Sequence, residues 1–174
     1  MQSRGVHGDR TPKTMNWGSF AVVSPGLAAL GRERFERQQL CMVGTIRRNG
    51  WPRISPCELD FVGDELILGM MWQSPKARDL LRDPRCVLHT CTSDRLGTEG
   101  DFKLYGRGRD VRDSATRDAY RAAIRARIDW EPEGPFHLFA IDVESAGYVE
   151  FGERSFALVW DPSGGTRRRP QRLE

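Results

Sequence analysis

The feature that most constrains the fold is a tight turn between two β-forming runs, residues 40–46 and 51–62. The dipeptide Asn49-Gly50 lies between them, and Asn-Gly at such a place is typical of a two-residue type I′ hairpin turn, which needs positive φ at both central residues. The sequence therefore predicts an antiparallel hairpin whose second strand presents Arg53 and Ser55 on one face. In that register the opposed pairs are Arg48 and Trp51, Ile46 and Arg53, Gly44 and Ser55, and Met42 and Cys57.

The rest of the chain predicts further strands joined mostly by short turns. Pro56 lacks a backbone N–H, so the second run is expected to be an edge strand or to bend there. A helix of about three turns is expected to open at Ser24-Pro25. Six to eight strands with about three connecting helices are typical of a mainly β, antiparallel barrel rather than of a parallel α/β sheet. The remaining strands are expected over residues 65–71, 85–92, 102–111, 136–143, 147–151 and 156–160, and the other helices over residues 74–82 and 114–128.

Composition places the chain among ordinary globular proteins. With 174 residues, 39% of them hydrophobic and 29% charged, it is expected to form one domain. No apolar run approaches the ~18–20 residues that cross a bilayer, and nothing resembles a secretory signal. The four cysteines and three histidines form no zinc-binding pattern, so we expect reduced core thiols, no metal site and a cytoplasmic location.

The two ends differ from the middle of the chain. Residues 1–14 are polar and basic and are expected to form a disordered leader. Residues 15–162 hold the predicted barrel domain. Residues 163–174, which include three consecutive arginines from Arg167, are expected to form a flexible basic tail. Because the net charge is only +3, the tail is interpreted as solvated, and no nucleic-acid or membrane partner is predicted.

The candidate site begins at the start of the helix over residues 74–82. Ser74 and Pro75 are typical of an N-cap and of a first helical position. Lys76 follows in the first turn, where the helix dipole disfavours a cation unless an anion lies there too. Backbone N–H groups, a serine hydroxyl and an ammonium together suit a phosphate. The alternative interpretation is that Lys76 and Arg78 point into water, where screening makes the dipole penalty small.

Arg53 strengthens the phosphate hypothesis. It lies on a strand that is expected to neighbour the strand leading into this helix, so Arg53, Ser55, Ser74 and Lys76 are predicted to converge on one phosphate. These segments also resemble a known family. Their order along the chain, residues 52–56, the strand end 66–69, the helix start 74–80 and the run 83–85, resembles the pyridoxamine-5′-phosphate-oxidase-like superfamily of FMN-binding split barrels, which includes the actinobacterial deazaflavin-dependent reductases.

The resemblance spans about residues 30 to 150 and implies a split-barrel homodimer with the cofactor at the subunit interface. The cofactor would be FMN or the deazaflavin coenzyme F-420, which the sequence does not separate because both present a phosphate and a flat tricycle. The positions that match the phosphate-binding residues of the family are Arg53 and Lys76. The resemblance further implies that the ring is lined by Arg53, Ile54 and Ser55 and by Gly69, Met70 and Met71, with Ser74 beside the phosphate.

Departures from the pyridoxamine phosphate oxidases argue against vitamin B6 oxidation. Pro75 stands where those enzymes carry an arginine, Glu58 stands where they carry a lysine, and their arginine-bearing C-terminus has no clear counterpart. The resemblance therefore implies an oxidoreductase that passes hydride between the cofactor and an unidentified small organic substrate. The alternative is a non-catalytic carrier or sensor of a flavin or haem. Candidates for a general acid, by residue type alone, are His89, Tyr105 and His137.

Overall fold

The computed structural model describes residues 15–152 and 155–169, which form four helices and eight strands. The predicted leader, residues 1–14, lies outside the described residues. The helices are α1 (Trp17–Val23), α2 (Pro25–Gln38), α3 (Pro75–Arg82) and α4 (Ser114–Ile128). The strands are β1 (Leu40–Ile46), β2 (Pro52–Val62), β3 (Glu65–Met71), β4 (Arg85–Thr90), β5 (Asp101–Asp110), β6 (Phe136–Glu150), β7 (Phe156–Asp161) and β8 (Gly165–Arg169).

Six of the strands close into an antiparallel barrel. Their order is β3-β2-β1-β4-β5-β6, and β6 closes the barrel by pairing with β3. β7 and β8 extend the sheet beyond the C-terminal half of β6. The prediction of a mainly β split barrel is confirmed. The structure adds α1, which the sequence analysis missed, and joins the two strands expected over residues 136–151 into one.

The barrel interior is filled by alternate strand residues and closed at one end by α1 and α2. Trp17 on α1 makes edge contacts with Phe20, Phe35 and Phe102, at ring-centroid distances of 5.3, 6.4 and 6.1 Å. Burial of these aromatic rings is the main stabilising contribution of the helical cap, because each removes a large apolar surface from water.

Three of the cysteines are buried free thiols and the fourth is half-buried.

A second, smaller core lies on the outer face of the barrel. α4 packs there on β2, and its buried Tyr120 and Ile124 contact Ile67 of β3 and Leu138 of β6. Asp113 caps the helix, since its carboxylate accepts the backbone N–H of Thr116 at 2.8 Å. This packing brings α4 beside the end of β3.

The β1–β2 hairpin forms as predicted, but its turn and register differ. The N–H of Arg47 donates to the carbonyl of Trp51 and the N–H of Gly50 donates to the carbonyl of Arg47, both at 2.9 Å. The loop therefore has three residues, and among them only Gly50 has positive φ, 84°, as in a turn that ends in a G1 bulge. The pairing shifts by one residue. The opposed pairs are Thr45 and Arg53, Gly44 and Ile54, Val43 and Ser55, and Cys41 and Cys57.

Two features of β2 and β8 bear on other predictions. β3 pairs only with Glu58 to Val62 of β2. The side of β2 that faces away from β1 is therefore a sheet edge in its first half, as predicted, and the missing backbone N–H of Pro56 costs no sheet hydrogen bond there. The predicted flexible tail over residues 163–174 is corrected in part, because Gly165–Arg169 pair with β7 as β8. The turn before β8 is held by Asp161, which accepts the N–H of Gly164 at 2.8 Å and pairs with Arg167. Residues 170–174 lie outside the described residues.

No helix in the described ranges has both the length and the apolar character to span a bilayer.

Candidate functional site

The start of α3 differs from the capped helix that the sequence predicts. Pro75 is the first helical residue, as expected, but Ser74 makes no side-chain capping bond. Ser74 is only 8% exposed, and its Oγ has no hydrogen-bond partner among the described residues. Because the helix packs on β1 and β3, its inner face buries Ala77 and Asp79.

Asp79 is the centre of a hydrogen-bonded cluster beneath α3. Its Oδ2 accepts from Arg53 Nε at 2.6 Å and from Thr45 Oγ1 at 3.0 Å, and its Oδ1 accepts from Arg82 at 3.2 Å. Burial alone would raise the pKa of Asp79, but the hydrogen bonds from Arg53, Thr45 and Arg82 outweigh it and lower the pKa. Asp79 is therefore an anion that fixes two guanidinium groups at the flank of the helix.

These arginines belong to a larger basic cavity, which we call the arginine cleft. Its volume is about 840 Å³. Of the residues that the structure describes, five arginines and one carboxylate, that of Asp79, line it. Its lining residues are Arg47, Arg48, Asn49, Arg53, Pro75, Arg78, Asp79 and Arg82.

Most of the positive charge in the arginine cleft is uncompensated. Among the described residues, the side chains of Arg47, Arg48 and Arg78 have no hydrogen-bond or ion-pair partner. Guanidinium groups bind phosphate and carboxylate through paired N–H donors. The arginine cleft is therefore suited to an anion. Arg78 is exposed, but its side chain is also one of those that line the cleft.

A second cavity, the aromatic pocket, lies on the other side of the α3 start. Its volume is about 610 Å³, and Gly69, Met70 and Met71 at the end of β3 line it together with Trp72 and Lys76. The ammonium of Lys76 donates to the carbonyl oxygen of Pro56. The other lining residues come from β2, α4, the segment that follows α4 and the start of β6. They include Glu58, Tyr120, Trp130, Glu133 and Phe136.

Tyr120 reaches the floor of the aromatic pocket from α4. The residue is 2% exposed, and its hydroxyl passes so close over Gly69 that a Cβ at that position would overlap it. The hydroxyl has no hydrogen-bond partner among the described residues. Burial, and then the nearby Asp60 and Glu58, raises the pKa of Tyr120, so the hydroxyl keeps its proton.

Trp72 forms the rim of the aromatic pocket and is held by a buried histidine. The rings of Trp72 and His137 stack at 4.4 Å with an interplanar angle of 10°. His137 is 6% exposed, and its Nε2 has no partner in the described part of the chain. His89 has one ring nitrogen 2.7 Å from the carbonyl of Thr90. Neither histidine lines either cavity, and nor does Tyr105.

The structure does not bring the four predicted phosphate ligands to one cavity. Arg53 lines the arginine cleft and Lys76 lines the aromatic pocket, whereas Ser55 and Ser74 line neither. Ile54, which was expected beside the ring, also lines neither cavity. The hypothesis of a single cradle is corrected to two adjoining cavities, because the consecutive residues Pro75 and Lys76 line one each. The physical reason is that Asp79 draws Arg53 towards the inner face of α3, while Lys76 bonds to the open edge of β2.

Several residues of these cavities were missed by the sequence analysis. Arg47 and Arg48 lie at the start of the hairpin turn, and Arg53 follows on the next strand. This concentration of arginines around one turn was the available signal. Tyr120 and Trp130 come from α4 and the segment after it, and no local pattern connects them with β3. Only the packing of α4 on the outer face of the barrel brings them to the pocket.

Fold and site together define a ligand-binding split barrel with a basic cleft and an adjoining aromatic pocket. Residues 29–150 match the family model described as Pyridoxamine 5'-phosphate oxidase. Because the match covers most of the chain, the protein belongs to this family. A search of curated proteins found no match.

Solved structures share the fold at low sequence identity. The heme binding protein from Mycobacterium smegmatis has a TM-score of 0.62 at 20% identity, over 78% of this chain and 58% of that one. A pyridoxamine 5'-phosphate oxidase-related, FMN binding protein from Nostoc punctiforme has a TM-score of 0.58 at 15% identity, over 83% and 94%. The heme storage protein HutZ from Vibrio cholerae has a TM-score of 0.57 at 16% identity, over 65% and 87%. At these identities the likeness establishes the fold.

Proposed function

We propose that the protein is an oxidoreductase that binds a phosphorylated flavin-type cofactor, FMN or coenzyme F-420, and passes hydride between it and a small organic substrate. The observation that carries the proposal is the arginine cleft, directly beside an aromatic pocket at the start of α3. Three of the guanidinium groups in the cleft have no partner in the described part of the chain. Family membership and the FMN-binding relative from Nostoc punctiforme support the same class of ligand.

The donor set of the arginine cleft fits a phosphate. Arg47, Arg48 and Arg78 offer N–H donors that no carboxylate among the described residues occupies, and Arg53 is held in place by Asp79. In the adjoining pocket, Lys76 adds an ammonium that donates to the neutral carbonyl of Pro56 and lies beside the thiol of Cys57. A phosphate dianion is the kind of group that such a concentration of positive charge binds most strongly.

The adjoining aromatic pocket fits a flat ring. Gly69 makes room at the end of β3 for the Tyr120 side chain. Met70 and Met71 offer apolar contacts, and Trp72 stands at the rim on its stack with His137. When bound, the cofactor ring supplies the hydride chemistry. The protein would orient the ring, exclude water from one face with these apolar side chains, and leave the α4 side of the pocket for substrate.

A homodimer with the cofactor at the subunit interface is part of the proposal. Large apolar side chains stand exposed around the edge of β2 and the end of β3, among them Trp51, Ile54, Met71 and Trp72. Exposed apolar patches of this kind are typical of interaction surfaces. A second subunit that covers them would also cover the mouth of the aromatic pocket.

The second candidate function is a non-catalytic carrier of haem or flavin. Two of the structural relatives are haem proteins by name. The nitrogen Nε2 of His137 is buried without a partner among the described residues, and imidazole nitrogen is a common iron ligand. Binding of iron there requires Trp72 to move off the histidine ring.

Cofactor titration tests the proposal. We expect purified protein to bind FMN or coenzyme F-420 about 10- to 100-fold more tightly than the same ring without its phosphate, for example riboflavin, because several charge-assisted contacts are lost. The loaded and reduced protein is then offered quinones and enones, and reoxidation is followed by absorbance. Equal affinity for FMN and riboflavin would contradict the phosphate site. Tight stoichiometric haem binding that His137→Ala abolishes, without turnover of any reduced cofactor, would favour the carrier.

A further inference from the structure

Aromatic side chains line the aromatic pocket. Trp72 and Trp130 are 53% and 52% exposed, although indole rings are among the side chains that gain most from burial. Both line the pocket together with Tyr120 and Phe136. The stack on His137 holds Trp72 in one orientation, so this wall is formed before any ligand arrives. The face of an indole ring attracts cations.

The charges around the same pocket are predominantly negative. Glu58 and Glu133 line it, and Glu133 has no ion-pair partner among the described residues. Glu58 lies 3.5 Å from Arg127, but that guanidinium is shared with Asp60 at 3.0 Å. Arg127 is therefore one cation shared by two carboxylates, Glu58 and Asp60. Glu133 adds a third carboxylate, so a positively charged ligand is favoured in this pocket.

Lys76 is the only cation among the lining residues of the aromatic pocket in the described part of the chain. It lies on the α3 side, next to Pro75 of the arginine cleft. Its ammonium donates to the carbonyl of Pro56 at the open edge of β2. The two lining carboxylates, Glu58 and Glu133, outnumber it.

Tyr120 supplies a second, independent indication of a ligand. Its side chain is almost wholly buried and lines the pocket, yet its hydroxyl has no hydrogen-bond partner among the described residues. A protonated phenol oxygen accepts an N–H and also donates its own O–H. Buried polar groups are nearly always hydrogen-bonded, so an unpartnered hydroxyl at a pocket floor marks a place for a polar atom of a ligand.

We infer that the aromatic pocket selects an organic cation, namely an amine or ammonium group carried on an apolar or aromatic body. Glu58 and Glu133 attract the charge, Trp72 and Trp130 cover the apolar body, and the Tyr120 hydroxyl contacts the polar head. The conclusion that the substrate is an organic cation rests on the proposed function. The preference of the pocket for a cation over a neutral molecule does not depend on that function. Phosphorylated or carboxylated substrates are disfavoured by the same carboxylates.

Three probes of nearly equal size and different charge test the inference. 1-Naphthylmethylamine is cationic near pH 7, 1-naphthalenemethanol is neutral and 1-naphthoate is anionic. Each is titrated calorimetrically into the full-length protein, without cofactor and loaded with FMN. We expect the amine to bind about tenfold more tightly than the alcohol, and the naphthoate more weakly than both. Naphthoate that competes with the amine for the same site and binds there as tightly would overturn the inference, whereas naphthoate bound without competition occupies the arginine cleft.

Charge-removing variants locate the preference. The double variant Glu58→Gln, Glu133→Gln is expected to reduce affinity for the amine about three- to tenfold, to near that of the alcohol, and to leave affinity for the alcohol unchanged. Glu33→Gln is the matched control, because Glu33 is an exposed carboxylate on α2 outside both cavities. If the double variant keeps the full preference for the amine, the inference is wrong.

The two proposals fail in different ways. Loss of the preference for the amine in a protein that still distinguishes FMN from riboflavin would overturn only the inference. A preserved preference in cofactor-free protein that binds neither FMN nor coenzyme F-420 would support the pocket's selectivity and overturn the cofactor assignment. Thermal unfolding of each variant checks that the fold is intact.

Discussion

Arg53 Nε lies 2.6 Å from Asp79 Oδ2, which joins the edge strand β2 to the inner face of α3. Thr45 on β1 donates to the same oxygen, and Arg82 pairs with the other oxygen of the carboxylate. One buried anion therefore connects β1, β2 and α3 and sets one wall of the arginine cleft. Removal of its charge should affect both stability and the cleft.

Asp79→Asn is expected to destabilise the fold by about 2–4 kcal/mol at pH 7. Loss of one member of a buried pair leaves the others uncompensated, and the figure lies below that for a fully buried pair because Arg53 and Arg82 are partly exposed. The pKa of Asp79 is lowered in the folded state from 3.8. Its contribution is therefore present above about pH 4 and is lost as the pH falls through the folded pKa.

Urea denaturation between pH 3 and pH 7 checks this prediction. The stability of the wild-type protein should fall more steeply below about pH 4 than that of Asp79→Asn. Asp118→Asn is the control, since Asp118 is an exposed residue that lies 3.6 Å from Arg121, and it should change stability by less than about 0.5 kcal/mol. Parallel pH profiles for wild type and Asp79→Asn would contradict the role assigned to Asp79.

Arg78→Ala is expected to weaken FMN binding by about 1.5–3 kcal/mol, as loss of a charge-assisted contact does, and to leave riboflavin binding unchanged. Arg78 lines the cleft, is exposed, and has no partner among the described residues, so its removal leaves no buried charge unpaired. Fluorescence titration at fixed salt measures both affinities. Arg112→Ala, at an exposed position outside both cavities, should have no effect.

Lys76→Ala examines the other side of the α3 start. The family resemblance assigns the ammonium to the cofactor phosphate, whereas the structure places it on the carbonyl of Pro56. We expect a loss of FMN affinity of about 1.5–3 kcal/mol, again without effect on riboflavin. The ratio of the two affinities is the quantity to measure. Negligible losses from both Lys76→Ala and Arg53→Ala would remove the phosphate from this part of the molecule.

Helix α1 and strand β8 were missed, but the rest of the fold was predictable from local patterns, because the barrel strands and the other helices have their own turn or cap signals. The register of the β1–β2 hairpin was not. A type I′ turn and a G1-bulge turn both place glycine at Gly50, and they differ by one residue in pairing, which exchanges the two faces of the strand. Asn49 keeps a negative φ here and accepts the N–H of Trp51 with its side chain at 3.2 Å.

The candidate site was predictable only where its residues lie close together along the chain. The helix start at Lys76 and the strand end at Gly69 were both identified, since dipole and turn arguments act over a few residues. The orientation of Arg53 depends on Asp79, and the position of Tyr120 depends on how α4 packs on the barrel. Such long-range contacts leave no periodic signal in a single sequence.

Gly50→Ala is expected to destabilise the protein by about 1 kcal/mol or somewhat more, because Gly50 has a φ of 84° that other residues adopt at a cost. Gly26→Ala provides a control of opposite sign. Gly26 lies in α2 with no atom near the position of an added Cβ, so alanine should stabilise the helix by about 0.5–1 kcal/mol. Chemical denaturation of both variants measures the difference. Similar effects of equal sign would argue against the observed turn.

Gly69→Ala should show how the aromatic pocket is built. An added Cβ would overlap the hydroxyl of Tyr120, so either α4 or β3 must shift, and we expect a loss of about 1–3 kcal/mol in unfolding free energy. Tyr120→Phe alone should change stability by less than about 0.5 kcal/mol, because the hydroxyl has no partner among the described residues to lose. In the double variant the collision with the oxygen is absent while the ring remains close, so part of the loss is expected to be recovered. A double-mutant cycle from denaturation curves measures that coupling. Strictly additive effects would mean that Gly69 is needed for a reason other than the passage of the Tyr120 side chain to the pocket floor.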